Sequence, residues 1–373
     1  MGVLRSTAGA AVFVLGTRPE IIKLAPLAES LGELAVVVDT GQHYDPMMSG
    51  AIYAECGLPA PQVRLAVGGL PRSAQVGQGL ADLGALFARA VPAVVVVQGD
   101  TNSGLAGALA ANACGVPLVH VEAGLRSHDR RMPEENNRVL IDHLADLLCA
   151  PTPGNAGNLR AEGIAGHRVA LTGNTVVEAV LRHLPEPEDR RKLLAHHGVR
   201  AGEFVLATVH RQENTDDAAA LREVLSGLSR CAGRGYPVIL PLHPRTLAAV
   251  TSLGCGDLLG GLLVTGPLGY SDFLGLAAEA ALLVSDSGGL QEECTVLKRP
   301  MVAVRTSTER PESLDGFVRL VPPGAGLHRE IDGFLADVAG CHARLAALHS
   351  PYGHGAASQR IAGLIQERFL VHS

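Results

Sequence analysis

Val284-Ser285-Asp286-Ser287-Gly288-Gly289-Leu290-Gln291-Glu292-Glu293 is the stretch from which the fold of this chain can be worked out. The apolar run at residues 280–284 stops at a Ser-Asp-Ser-Gly-Gly turn, and a helix-compatible segment starts at Leu290, which predicts a strand, a tight turn and a helix. Adjacent glycines let the backbone turn sharply and approach a ligand, and a helix start presents unpaired N–H groups. The turn therefore suits a pyrophosphate, with Glu293 placed for ribose hydroxyls, although an ordinary turn with an Asp or Ser helix cap fits the same stretch.

The same order of apolar run, polar turn and helix recurs along the chain. Eight further, largely apolar runs each end in polar residues, at positions 10–15, 35–38, 92–97, 117–121, 203–209, 237–242, 262–265 and 300–304. Because no region contains strands alone, the pattern predicts an α/β protein with parallel sheets covered by helices. The functional loops of such sheets lie at the carboxyl ends of the strands.

Chain length predicts two domains. A sequence of 373 residues is longer than one hydrophobic core usually accommodates. A polar, proline-rich linker lies at Pro185-Glu186-Pro187-Glu188. We therefore predict two Rossmann-like, doubly wound domains, residues 1–184 and 185–355, that face one another across a cleft. An amphipathic helix at about residues 356–373 is expected to pack back on the first domain.

Composition narrows the class of protein. Hydrophobic residues make up 47% of the chain and aromatic residues only 3%, which is typical of buried parallel strands. A net charge of −6 argues against a nucleic-acid binder driven by overall charge. Seven scattered cysteines without a CxxC pair favour reduced thiols in the cytoplasm, and the sequence shows no signal peptide and no membrane-spanning run. No metal-ligand pattern is evident, so we expect neither a metal nor a cofactor.

Charged residues gather where the predicted strands end. The candidates are, as cations, Arg18, Lys23, His210, Arg211, His243, Arg245 and Arg310, and, as acids, Asp100, Glu122 and Glu134. Two strand-end histidines, each followed within two residues by Arg, favour a shared anion site. Crowded carboxylates cost free energy unless cations, substrate or chemistry require them. The alternatives are a surface cation at Lys23 and a helix cap at Asp100.

These candidates describe an enzyme of nucleotide sugars. The second domain supplies the phosphate-type turn, and the first supplies the cluster of acids. No GxGxxG follows the first strand, and the sequence contains no GxxxxGK[ST]. Hydride transfer by a Rossmann dinucleotide site and phosphoryl transfer by a P-loop are therefore set aside.

Eight motifs lie in order along the chain: Gly16-Thr17-Arg18-Pro19-Glu20, Gln98-Gly99-Asp100-Thr101, His120-Val121-Glu122-Ala123-Gly124-Leu125-Arg126, Pro133-Glu134-Glu135-Asn136-Asn137-Arg138, Thr172-Gly173-Asn174, His210-Arg211-Gln212-Glu213-Asn214, Asp286-Ser287-Gly288-Gly289-Leu290-Gln291-Glu292-Glu293 and Thr308-Glu309-Arg310-Pro311-Glu312. Together they resemble the UDP-N-acetylglucosamine 2-epimerase family in its non-hydrolysing branch. The match spans essentially the whole chain, and eight motifs in family order are far more specific than any one of them.

The resemblance implies a GT-B-like fold and the interconversion of UDP-GlcNAc and UDP-ManNAc, by elimination of UDP to 2-acetamidoglucal and its re-addition. It implies acid/base roles for Asp100, Glu122 and Glu134 and an active-site role for His210. We favour Asp100 as the C2 base and His210 as a cation beside the leaving diphosphate. The implied UDP- and sugar-binding positions are Arg18, Lys23, Phe273, Ser287, Gly288, Gly289, Glu293, Arg310, His243 and Arg211. A homodimer is expected from the family alone.

Local departures from the family pattern bear on substrate and regulation. The loop Gln42-His43-Tyr44-Asp45 differs from that of bacterial members activated by a second UDP-GlcNAc, and Asp45 places an acid where a neutral amide is expected. This difference argues against such activation here. Arg305-Thr306-Ser307-Thr308 lacks an Asp after the Arg, and Gly353-His354 replaces a usual Gly-Asp. These differences place the chain nearer the archaeal-type or diacetamido-uronate epimerases.

Several rival interpretations remain open at this point. The sugar could be a related one, such as a UDP-diacetamido-uronate, or a hydrolysing epimerase could release ManNAc and UDP from the same residues. A GT-B glycosyltransferase is a further rival, although the three acids exceed what inverting transfer needs. The last alternative is a non-catalytic sensor that binds a nucleotide sugar without exchanging its C2 proton.

Overall fold

The computed structural model describes residues 7–42, 52–242 and 244–370, without the side chains of residues 244 and 245. The chain forms two compact units. The first unit contains Met1–Ala179 together with Tyr352–Ser373, and the second contains Val180–Pro351. The division falls a few residues before the predicted domain boundary at residues 184 and 185.

The first unit is built on a seven-stranded parallel sheet with strand order β3-β2-β1-β4-β5-β6-β7. The strands are β1 (Ala11–Leu15), β2 (Ala35–Asp39), β3 (Val63–Arg64), β4 (Val94–Gln98), β5 (Leu118–Val121), β6 (Leu147–Ala150) and β7 (Val169–Leu171). Strand order reverses between β1 and β4, so their carboxyl ends flank a topological switch point, where open α/β sheets bind ligands.

Helices connect these parallel strands, as parallel pairing requires. They are Arg18–Leu31, Arg72–Arg89, Asn102–Ala113, Pro133–Leu144 and Pro153–Ala161, and a further helix of this unit, Ala357–Ile365, lies near the C-terminus. The amide of Ser358 in the last of these helices donates to Glu178 at 2.7 Å. The same helix packs on Arg18–Leu31, and both belong to the first unit.

The second unit repeats this plan with six parallel strands in the order β10-β9-β8-β11-β12-β13. They are β8 (Val205–Thr208), β9 (Val238–Pro241), β10 (Leu263–Thr265), β11 (Leu282–Ser285), β12 (Met301–Val304) and β13 (Val318–Val321). The helices are Pro187–His197, Gln212–Thr215, Ala218–Gly233, Pro244–Ser252, Tyr270–Glu279, Gly288–Leu297, Ala325–Leu335 and Val338–Ala346, and Val176–His183 contains the boundary between the units. Here the strand order reverses between β8 and β11.

Apolar side chains on the sheets and their helices form a separate core in each unit. The core of the first unit includes Val97 of β4 and Leu105 of the following helix, and the core of the second includes Val284 of β11 and Leu228. Each fully buried side chain of this size contributes roughly 1.5–3 kcal/mol relative to exposure. The valine-rich strands β1, β2 and β4 are buried along their whole length, as is usual for parallel sheets.

The prediction of two parallel-sheet α/β domains is confirmed. Several elements were not predicted, among them β3, β13 and the long helix Arg72–Arg89. The helix after the anchoring turn begins at Gly288, not at Leu290 as expected, because Ser287 serves as its N-cap. No helix in the described part of the chain is both long enough and apolar enough to cross a membrane.

Candidate active site

The turn after β1 is occupied by a carboxylate of the chain itself. Glu20 accepts hydrogen bonds from the amides of Gly16 at 3.0 Å and Thr17 at 2.9 Å, and from the hydroxyl of Thr101 at 2.7 Å. Burial raises the pKa of Glu20 to about 7, despite these hydrogen bonds, which favour the charged form. The amides of this turn are therefore engaged by Glu20, and Arg18, half-buried at the helix start, is the predicted phosphate ligand here.

Glu122 follows β5 and is paired with a lysine inside the first unit. Its Oε2 oxygen lies 2.7 Å from the ammonium of Lys23, and it also accepts from the side-chain amide of Gln98. Glu122 has a φ of 69°, which is uncommon for a residue with a side chain. Sequence reasoning placed Lys23 with the UDP ligands. That role stays a prediction, but the structure shows that its ammonium is bonded to a predicted catalytic acid.

Asp100 follows β4 and is held by Arg138. The guanidinium Nε lies 3.0 Å from the Asp100 Oδ2 oxygen, and Nη2 bonds the same oxygen. Asn137 donates to the Asp100 carbonyl at 2.8 Å, so backbone and side chain are both fixed by the helix Pro133–Leu144. The Asp100 side chain keeps 27% of its surface exposed and remains reachable by a ligand.

Two adjacent glutamates at the start of the helix Pro133–Leu144 differ in their surroundings. Glu134 is exposed in the first turn of the helix, and its acid/base role stays a prediction. Glu135 is buried and accepts from the amides of Ser127 and His128, each at 2.9 Å. Burial alone would raise the pKa of Glu135, but these amides and Arg138 together lower it. Glu135 therefore anchors the loop that precedes the helix.

A buried network that the sequence did not reveal lies beneath these acids. The Nδ1 nitrogen of His120 lies 2.6 Å from Asp142 Oδ1, and its Nε2 lies 2.8 Å from the carbonyl oxygen of Gly99. Asp142 also accepts from the amide of Gly124 at 3.2 Å. The network joins the turn that carries Asp100 to the turn that carries Glu122. A separation of 22 residues between His120 and Asp142 is not a local pattern, so sequence reasoning had no signal for the pair.

The anchoring turn of the second unit contains two glycines with different surroundings. A methyl group at Gly288 would lie 2.7 Å from Arg310 Nη1 and 2.8 Å from Glu309 Oε1, so this glycine is required by packing. A methyl group at Gly289 would meet no described atom closer than the Ser287 hydroxyl at 4.0 Å. Gly288 and Gly289 open the helix, and the first amides of a helix have no intrahelical acceptor. The open space beside Gly289 suits an anion.

Arg310 is bonded to buried carboxylates of its own unit. Its Nε lies 2.9 Å from Glu292 Oε1, and its Nη1 bonds Glu309 Oε1. Glu309 also forms an ion pair with Arg305, whose Nη2 lies 2.8 Å from Glu309 Oε2. Arg305, Glu309 and Glu292 are at most 2% exposed, and Arg310 is 8% exposed. The predicted contact of Arg310 with UDP stays a prediction, and the structure shows a role for Arg310 in packing against the Gly-Gly turn.

Glu293 is oriented by a tyrosine. The Tyr270 hydroxyl donates to Glu293 Oε1 at 2.9 Å, which leaves the carboxylate half-buried one turn into the helix. Phe273, the predicted neighbour of uracil, lies on the same helix as Tyr270 and is also half-buried. Sequence reasoning did not identify Tyr270 as the partner of Glu293.

His210 and Arg211 follow β8 and meet Asp286, which follows the neighbouring strand β11. Asp286 is fully buried and lies 2.9 Å from the Nδ1 nitrogen of His210, whose side chain is 52% exposed. Burial would raise the pKa of Asp286, but its contacts with His210 and backbone amides lower it. The structure thus assigns a partner to the predicted active-site histidine, at the switch point of the second sheet.

Some predicted positions lie outside the described residues. These are His243 and the loop residues His43, Tyr44 and Asp45, together with the side chain of Arg245. Gln42 is described, and its side-chain oxygen accepts from the amide of Ser103 at 2.9 Å and from its hydroxyl at 2.7 Å.

Two parallel α/β units, each with charged side chains at the switch point of its sheet, are typical of enzymes with a GT-B-like fold. The chain belongs to the UDP-N-acetylglucosamine 2-epimerase family, whose family model matches residues 30–366. The resemblance identified from the eight motifs is confirmed.

Relatives in this family cover most of the chain. A UDP-N-acetylglucosamine 2-epimerase of Methanococcus maripaludis is 39% identical over 81% of this chain and 84% of its own length. The UDP-2,3-diacetamido-2,3-dideoxy-D-glucuronate 2-epimerase of Pseudomonas aeruginosa is 35% identical over 94% of this chain and 97% of its own length. The solved structure of Methanocaldococcus jannaschii UDP-GlcNAc 2-epimerase in complex with UDP-GlcNAc and UDP is 35% identical, covers 96% of this chain and 99% of that one, and has a TM-score of 0.86.

Proposed function

We propose that this protein is a non-hydrolysing epimerase that interconverts UDP-GlcNAc and UDP-ManNAc at C2. The observation that carries the proposal is the pair of strand-end carboxylates Asp100 and Glu122, each held by its own cation, in a chain of this family. Each cation fixes the position of its carboxylate, and a fixed position within reach of the proton is the first requirement for a general acid or base.

The reaction needs such acids because the C2 hydrogen of the sugar is not acidic. As the C1–O bond to the diphosphate stretches, the positive charge that develops on C1 makes the C2 hydrogen more acidic. A carboxylate takes the C2 proton, the C1–O electron pair leaves with UDP, and a C1=C2 double bond forms. UDP oxygen then returns to C1 as a proton reaches C2 from the opposite face. Cations and helix amides stabilise the departing UDP.

We assign roles on this basis. Asp100 is the candidate base at C2, and Glu122 and Glu134 are the other acid/base candidates, because inversion needs proton transfer on both faces of the ring. His210 is the cation beside the leaving diphosphate. The proposed UDP ligands of the second unit are the turn at residues 287–289, with Glu293 for the ribose.

Incubation with UDP-GlcNAc in deuterated water tests the proposal. We expect deuterium at C2 of both nucleotide sugars, without release of free sugar. We expect Asp100→Asn, Glu122→Gln and His210→Ala each to slow the exchange by about 100-fold or more, the range supplied by a positioned acid or base. The exposed controls Asp189→Asn and Glu203→Gln keep normal rates. Near-normal turnover in all three site variants contradicts the assignment.

A related substrate is the second candidate, because a relative at 35% identity is a diacetamido-uronate epimerase. The same incubation with a UDP-diacetamido-uronate decides between them by the ratio of kcat/KM. Free ManNAc with UDP would indicate the hydrolysing reaction. Transfer to an acceptor would indicate a glycosyltransferase, and binding without C2 exchange would indicate a sensor.

We also propose that the enzyme is cytoplasmic and forms a homodimer. All seven cysteines are free thiols, and all except Cys114 are buried, which suits a reducing compartment. The dimer follows from the family resemblance and is tested by light scattering coupled to size exclusion. Addition of UDP-GlcNAc to the reverse reaction tests the expected lack of activation.

A further inference from the structure

The contact between Asp286 and His210 follows from how the second sheet is wound. β8 and β11 are parallel neighbours, with Thr208 opposite Ser285 in the register. His210 lies two residues beyond the first of these positions, and Asp286 lies one residue beyond the second. The two side chains therefore meet at the switch point although they are 76 residues apart.

Asp286 is completely buried and is contacted by four donor groups. Its carboxylate accepts from the backbone amides of His210 at 3.0 Å and Arg211 at 2.9 Å, and from the side-chain amide of Asn214 at 3.1 Å. The fourth contact, at 2.9 Å, is with the Nδ1 nitrogen of His210. A carboxylate surrounded by donors is an acceptor, so the Nδ1 nitrogen must carry the proton.

The ring is thereby fixed in one tautomer. With Nδ1 protonated, the neutral imidazole has its lone pair on Nε2, and the imidazolium has a second N–H there. The buried carboxylate holds the ring plane, and the half-exposed ring presents its opposite edge to a ligand. A ring that carries a second proton on Nε2 can donate from that nitrogen to phosphate oxygens.

We propose that Asp286 is a positioning residue for His210, which keeps a proton on Nδ1 and presents Nε2 to the diphosphate that leaves C1. This inference rests on the proposed function. Asp286 does not touch the sugar in this scheme and acts only through the imidazole. A residue that only held the backbone of this loop would not affect the imidazole, whereas the Asp286 carboxylate controls which ring nitrogen faces the ligand.

The decisive variant is Asp286→Asn. Its amide oxygen can still accept from the backbone amides, but its NH₂ group faces Nδ1, which favours the opposite tautomer. We expect kcat to fall on the order of 100-fold, the scale of a positioned acid or base, with a much smaller change in KM. Asn214→Ala is the matched control, since it removes another partner of Asp286 and a bond to the Val304 carbonyl, but leaves the Nδ1 contact. We expect it to lower stability while kcat stays nearly unchanged.

A double-mutant cycle with His210→Gln separates positioning from general support. If Asp286 acts through the imidazole, adding Asp286→Asn to His210→Gln lowers kcat no further. Additive losses, or equal losses in Asn214→Ala and Asp286→Asn, would overturn the proposal.

Nitrogen-15 NMR of the histidine rings gives a readout that needs neither turnover nor a folded variant at position 286. The His210 signals are assigned by their loss in His210→Gln. In the unaltered protein we expect a protonated Nδ1, and an unprotonated Nδ1 would contradict the proposal. Failure of the unaltered protein to exchange C2–H would instead overturn the proposed function, while the ring spectrum would still report on the Asp286 contact.

Discussion

The ammonium nitrogen of Lys23 lies 2.7 Å from the Oε2 oxygen of Glu122, and both side chains are buried. Removing one partner of a buried ion pair leaves an uncompensated charge. We therefore expect Lys23→Met to lower the free energy of unfolding by about 3–5 kcal/mol. The exposed pair of Lys192 and Asp189 supplies the control, and Lys192→Met should leave stability nearly unchanged. Urea denaturation measures both.

The double variant Lys23→Met/Glu122→Gln tests whether the loss comes from the stranded carboxylate. We expect it to recover much of the stability and none of the epimerase activity. If the double variant is as unstable as Lys23→Met alone, the lost packing of the lysine stem, not the charge, explains the effect.

The raised pKa of Glu20 predicts that the free energy of unfolding depends on pH. Burial raises its pKa from the ordinary 4.5 to about 7, so between these values the folded state holds a proton that the unfolded state has released. The contribution to stability is full below pH 4.5 and is lost as pH rises through 7, by about 3 kcal/mol. Glu20→Gln lacks this dependence. The difference in unfolding free energy between variant and unaltered protein should therefore grow in favour of the variant from pH 4.5 to 8, and a flat difference would contradict the raised pKa.

The strand-to-helix turns could be predicted because their signals are local. Apolar runs that end in glycine and charged residues identified both halves of the chain and the carboxyl ends of their strands, whereas the strand order that sets each switch point came from the structure. The helix start was misplaced by two residues because Gly288 and Gly289 were read only as turn residues. In the structure both are helical, and Ser287 caps the helix.

Partners of the site residues could not be predicted, because they come from distant parts of the sequence. Lys23 and Glu122 are 99 residues apart, and Tyr270 and Glu293 are 23 apart. The family resemblance implied that Lys23 belongs to the UDP-binding positions, and that role stays a prediction. The structure adds a contact between its ammonium and an acid of its own unit, which only the packing of the helix Arg18–Leu31 on the sheet brings about. β3 was missed because two residues carry no periodicity.

The two glycines of the anchoring turn should respond differently to alanine. Gly288→Ala places a methyl group against Arg310 and Glu309, so we expect a loss of roughly 1–3 kcal/mol in stability. Gly289→Ala meets open space and should keep or slightly raise stability. If the diphosphate approaches this backbone, the same methyl group should weaken UDP binding at least about 10-fold, or roughly 1.4 kcal/mol, in calorimetry. Unchanged UDP affinity in Gly289→Ala would place the diphosphate elsewhere.

Glu134 and Glu135 are neighbours for which we predict opposite outcomes. Glu134 is exposed, so Glu134→Gln should leave the unfolding free energy almost unchanged while C2 exchange falls. Glu135 is 4% exposed and accepts from the amides of Ser127 and His128 and from Arg138. Glu135→Gln removes one acceptor oxygen and should lower stability by about 1–3 kcal/mol.

The pH dependence distinguishes the Glu135 effect from a simple loss of packing. Because burial is outweighed by amides and Arg138, the folded state lowers the pKa of Glu135. The stability that Glu135 contributes is therefore present at neutral pH and is lost as pH falls and the carboxylate gains a proton. The difference between Glu135→Gln and the unaltered protein should shrink in acid. A difference that stays constant from pH 7 to the acid limit of folding would show that the carboxylate charge does not hold the loop.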